Sequence, residues 1–190
     1  AQQILFALLT LVAVWLFSRK VKEISRNIRL GRAEALHDQP GQRWRNVLLL
    51  AFGQKKMFRN PLVAVLHFFV YAGFIIINIE VLEIVLDGVL GTHRLFAPYL
   101  GSFYNFLINS FEILAVLVLV AVVVFLVRRN VIKLKRFISN DLDGWPRSDA
   151  NYILIIEIIL MSLFLLLNAS DTLLQARGIE QYTAHPTGNF

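Results

Sequence analysis

Cysteine is absent from the 190 residues. No disulfide, zinc–thiolate centre or iron–sulfur cluster can therefore be built from this chain alone. The first apolar run is not expected to be a secretory leader, because it has neither a basic start nor a small-residue cleavage site. The paired, broken apolar segments that mark many transporters do not occur, and neither does any internal repeat. No motif of a soluble hydrolase or metal enzyme is present. Acids are scarce beside bases, 13 against 19, for a formal net charge of +6. In a soluble protein that excess would suit nucleic acid. Here the bases flank long apolar runs, where orientation signals lie, so nucleic acid is not an expected partner.

What is present is apolar: 57% of the residues, with a mean hydropathy of +0.61. The excess lies in long runs, which predicts an all-α, multi-pass helical bundle with four transmembrane helices and the lipid bilayer as its first partner. Residues 1–17 hold transmembrane helix 1, as a short span over 3–17. Residues 18–60 form a basic cytoplasmic segment with amphipathic pieces, expected to lie along the membrane surface. Within it Pro40–Gly41 reads as a turn, and 44–52 reads as a short interfacial piece. Residues 61–190 hold helices 2–4 with their loops and an outer tail. Pro61 suits the first turn of helix 2, which runs to about 88–91. Helices 3 and 4 are expected over 103–127 and 152–174, with a turn at 144–146 and Asp149 as a candidate cap. Residues 18–60 carry eleven Lys or Arg and 128–147 carry six, whereas the loop after helix 2 holds only Arg94 and the tail only Arg177. Both basic segments then face the cytoplasm, and the N-terminus, the 91–101 loop and the tail lie outside.

The run 61–90 is the one around which the other spans look arranged, because it keeps ionisable groups that cost about 2.5–3.5 kcal/mol each inside a bilayer. His67 sits about 9 Å past Pro61. Neutral imidazole is a common axial ligand of haem iron, and it also makes interhelical hydrogen bonds, so both roles remain open for His67. A second axial ligand is hard to find: His93 and His185 lie on the far side, His37 is in a polar loop, and Met161 is mid-span in helix 4. Glu80, Glu83 and Asp87 share one helix face, turned by about 220° from His67. Asn78 precedes them. Helix 3 adds Asn105, Asn109 and Glu112, and helix 4 adds Asn168 and Asp171. All fall in the outer half of the spans, where they could take protons from a quinol or simply join helices. Glu157 lies in the inner half, near the expected depth of His67, and could orient a ligand as outer-shell carboxylates do.

At helix 2 the sequence acquires a likeness. QKKMFRNPLVAVLHFFVYAGF resembles the opening of the haem-bearing domain of membrane iron–sulfur oxidoreductases related to the heterodisulfide reductase membrane subunit and the respiratory nitrate reductase gamma subunit. A group of Bacteroidetes (Fe–S)-binding proteins is more similar still, through INIEVLEI, DG, GTHR, FEILAVLVLV, RRN, GWP and ILIIEI in this order. The resemblance implies a cytochrome b-like bundle in the bacterial inner membrane, carrying electrons between menaquinol and a cytoplasmic iron–sulfur module within a larger respiratory complex. It implies b-type haem with His67 as axial ligand, and menaquinone as partner. Iron–sulfur clusters would belong to a domain outside these 190 residues. Further helices and that domain, on the same or another chain, are implied as partners, and the sequence resembles the N-terminal part of a longer polypeptide, inactive by itself. The alternative is a cofactor-free membrane subunit that anchors or scaffolds a complex.

Overall fold

The computed structural model describes residues 2–32, 38–55, 58, 60–134, 144–179 and 182. His37, His185 and most of the outer tail lie outside them. Helix α1 spans Gln2–Arg29, α2 Pro40–Asn46, a π-helical segment Val47–Phe52, α3 Pro61–Leu90, α4 Ala97–Leu100, α5 Ser102–Asn130 and α6 Trp145–Ala176. Helices α1, α3, α5 and α6 are each long and apolar enough to cross a membrane. The protein is an all-α membrane bundle.

Local chemistry explains several boundaries. Helix α3 starts where Asn60 accepts a bond from the Val63 amide at 3.4 Å, with Pro61 in the first turn. It stops at Gly91, whose φ of 74° lets its amide reach the Asp87 carbonyl at 2.7 Å. Two expected features differ. Pro40 opens α2 instead of marking only a turn, because proline's fixed φ suits a first helical turn. The chain does turn at Gly144, φ 80°, but α6 begins at once with Trp145, so Asp149 lies inside the helix and caps nothing. The expected first span of 3–17 lies inside a longer helix. Helix α1 runs unbroken to Arg29, about 42 Å at helical rise, and carries its bases on its last turns.

Helix α5 is the packing centre. Tyr104, Ile108, Phe111, Ala115, Val118 and Val122 recur at spacings of three and four and are all buried. Against that stripe pack Ile77 of α3 and Met161 and Phe164 of α6. Gly73 of α3 meets Val118, and a side chain there would collide with the valine methyl. Helix α1 leans chiefly on α3, where Gly88 receives the ring of Phe6. Phe6 lies near the start of α1 and Gly88 near the end of α3, so these helices are antiparallel. The bundle therefore runs up, down, up, down. The ends of α1 and α5 and the starts of α3 and α6 share one pole, with Arg19–Arg29 and Arg128–Arg129. The 91–101 loop sits at the other. Most other large apolar side chains on these helices face outward, as a bilayer used as solvent requires.

Candidate functional site

Arg94 is the hub of the loop pole. It is 5% exposed, and its guanidinium reaches all three packed helices. Nε donates to Asp171 Oδ2 at 2.9 Å, Nη1 to Glu80 Oε1 at 3.0 Å and to the Tyr104 hydroxyl at 3.3 Å, and Nη2 to Asn168 Oδ1 at 2.9 Å. Only a planar fork with five donors can serve that many partners from one side chain. Burial opposes the charge, but the oxygens of Tyr104, Glu80 and Asp171 outweigh it and hold the Arg94 pKa above its ordinary value.

The loop that delivers Arg94 is clamped by α3. Asp87 accepts the Arg94 amide at 2.8 Å, the Leu95 amide at 3.2 Å and the Thr92 hydroxyl. These bonds hold Arg94 at φ 57°, a left-handed conformation that costs a non-glycine residue about 1–2 kcal/mol. Glu83 accepts the Phe96 amide and the Tyr104 hydroxyl, both at 2.7 Å. Three carboxylates at helical spacing thus bind one loop, by side chain or backbone.

His93 completes the pole. Its Nε2 pairs with Asp171 Oδ1 at 2.8 Å, while its Nδ1 is buried without a partner among the described residues. The Tyr182 ring meets it edge-on at 4.6 Å. Beside it lies a cavity of about 210 Å³, walled by Glu83, Asp87, Thr92, His93, Arg94 and Asp171 among others. Glu80 Oε2 and Asn168 Nδ2 are also buried, with no hydrogen-bond partner among the described residues. Four carboxylates, Glu80, Glu83, Asp87 and Asp171, gather at this pole, two of them on the Arg94 guanidinium, so the pole is rich in acceptors.

The predicted polar residues divide into two sets. Glu80, Glu83, Asp87, Asn168 and Asp171 come together, and Glu112 lies within electrostatic reach of Arg94. Asn109 is half-buried, and its Oδ1 has no hydrogen-bond partner among the described residues. Asn78 does not join them: its amide bonds the Phe74 carbonyl of its own helix. It lines instead an apolar groove of about 350 Å³ between α3 and α6, with Glu157 on the opposite wall. The α3 wall of that groove runs from Gly73 to Ile84. Met161 is packed in the core. His67 is half-buried on α3 and makes no hydrogen bond among the described residues.

Arg94 and Tyr104 were invisible as site residues in the sequence, where Arg94 counted only as a loop base. A signal was available: a lone arginine on the non-basic side, a few residues after three acids on one helix face.

Comparison with known proteins gives one informative likeness. Over 136 residues, 72% of this chain, the sequence is 29% identical to "Probable iron-sulfur-binding oxidoreductase FadF" of Bacillus subtilis (strain 168). The matched stretch is 19% of that protein's length, so the chain corresponds to about a fifth of it. No family model matches, and no solved structure matches.

Proposed function

We propose that this chain is the membrane domain of an iron–sulfur oxidoreductase, in the bacterial inner membrane, that carries electrons between menaquinol and a cytoplasmic iron–sulfur module. The observation that carries the reading is His67, an imidazole at membrane depth with no hydrogen-bond partner among the described residues. A structural histidine inside a span is expected to bond a neighbouring helix. The likeness to an iron–sulfur-binding oxidoreductase supports the same reading.

His67 fits one axial position of a b-type haem, and bound haem would supply a one-electron carrier. The described residues offer no second ligand, because Met161 is packed in the core and His93 is bonded to Asp171 at the opposite pole. The second ligand and the iron–sulfur clusters belong to further helices and a further domain. The basic pole faces the cytoplasm in this reading, which sets His67 on the iron–sulfur side. The acceptor-rich Arg94 pole faces outward, where Glu80, whose Oε2 has no partner among the described residues, can hold a proton released from quinol.

A reduced-minus-oxidised spectrum of the full-length protein tests this assignment. The b-type α-band is expected in the wild type and lost in His67→Ala; an unchanged band in the variant would remove His67 as a ligand. The Arg94 network favours a second reading, a cofactor-free scaffold, because it ties three helices without needing a ligand. Absence of any b-type band in the wild type would give that reading the lead.

A further inference from the structure

Helix α1 continues well past the point where its bases begin. Its apolar stretch closes at Trp15 and Phe17, and the first base, Arg19, stands 4.9 Å over the Trp15 ring. Aromatic and basic side chains in that order mark a membrane–water interface. The helix runs unbroken from there to Arg29, about 15 Å further along its axis. A helix that does not bend at the interface stands out from the membrane instead of lying on it.

Water does not explain the apolar groups on that outer part. Val21, Ile24 and Ile28 are 46%, 58% and 74% exposed. With Val14 and Phe17, also exposed, they form one stripe whose spacing alternates between three and four residues. That is the 3.5-residue period of a coiled-coil seam, with β-branched Val14, Val21 and Ile28 at one set of positions and Phe17 and Ile24 at the other. The next seam position is Gly31, just past the helix end, so stripe and helix stop together. No described residue covers the stripe. Helix α1 has no buried residue and meets α3 near its other end, through Phe6 at Gly88.

The charges around the stripe decide what covers it. Arg19, Lys22, Arg26 and Arg29 are turned away from it. Its flanks hold Ser18, Lys20, Ser25 and Asn27, and Lys20 is paired with Glu23 of its own helix at 2.9 Å. A second α1 laid along the stripe meets no row of like charges. Two copies in one membrane point the same way, so they pair in parallel and in register, and a two-fold pair is the simplest closed arrangement. An anionic lipid or an acidic protein would sit on the basic face and leave the stripe bare.

We propose that the stripe from Val14 to Ile28 is a homodimer interface, a parallel two-helix contact that starts within the membrane and continues out past its basic side.

The test uses the full-length protein in detergent, with its mass read by light scattering after the micelle is subtracted. The wild type is expected at twice the chain mass. Val21→Glu with Ile24→Glu sets like charges across the seam and should halve that mass, whereas Arg26→Glu, on the outer face, should leave it unchanged. Benzoylphenylalanine in place of Ile24 should give, on irradiation, an adduct of doubled mass whose linked peptides both come from α1. A monomeric wild type would overturn the proposal. So would a mass that the double variant leaves unchanged or that Arg26→Glu also halves. Irradiation that links position 24 only to lipid, to another part of the same polypeptide or to nothing would overturn it too.

Discussion

Arg94 shows how much one residue can decide. Its guanidinium meets Glu80 of α3, Tyr104 of α5 and Asn168 and Asp171 of α6. Removing one partner of a buried ion pair costs about 3–5 kcal/mol, because the charges left behind are neither solvated nor paired. Arg94→Ala should therefore lower unfolding stability in detergent by that order. Arg94→Lys should fall between, since an ammonium keeps the charge but cannot hold four partners in a plane. An alanine variant as stable as the wild type would mean that the network is incidental to the fold. The carboxylates of this site were legible in the sequence, because 80, 83 and 87 lie on one face of any helix. Their partner was not, because a loop residue has no periodicity to declare where its side chain goes. His93 was set aside as too far from His67. That distance stands, and the residue instead belongs to the pole at the other end of α3.

Among the elements, the four long helices were readable and their ends less so. Apolar run length identifies a span, but helix termini follow from caps and backbone geometry that only neighbouring residues settle. Gly144 rather than Asp149 starts α6, and α1 continues through its basic half because nothing between Phe17 and Arg29 breaks a helix. Helix 61–90 drew notice through its ionisable groups, yet α5, with few such groups, holds the core. Small side chains do that work: Ala115 and Ala121 are fully buried and let the neighbours approach. Helix α1 has no buried residue and meets α3 chiefly where Phe6 sits over Gly88. Because the chain contains no cysteine, introduced pairs report without background. Phe6→Cys with Gly88→Cys should cross-link under mild oxidation in membranes. Ile4→Cys with Gly88→Cys, which places the first thiol on an exposed flank of α1, should not. Failure of the first pair would contradict the antiparallel placement of α1.

At the scale of the whole molecule, the bundle has two unlike poles. One gathers bases and lies nearer His67; the other gathers acceptors around Arg94 and opens into the cavity beside His93. That polarity was legible from the charge count along the chain, whereas the cavity was not, since it exists only once α3 and α6 are held apart across α5. The stretch this chain matches is 19% of the length of its longer relative. In the proposed function, electrons pass between quinol and a cytoplasmic iron–sulfur module through a centre held by His67. The most direct measurement follows the b-type band in membranes containing the full-length protein as menadiol is added. The account predicts that the band of the wild type responds to the menadiol–menadione couple and that His67→Ala shows no such band. A wild-type band that dithionite produces but the quinol couple leaves unmoved would contradict it.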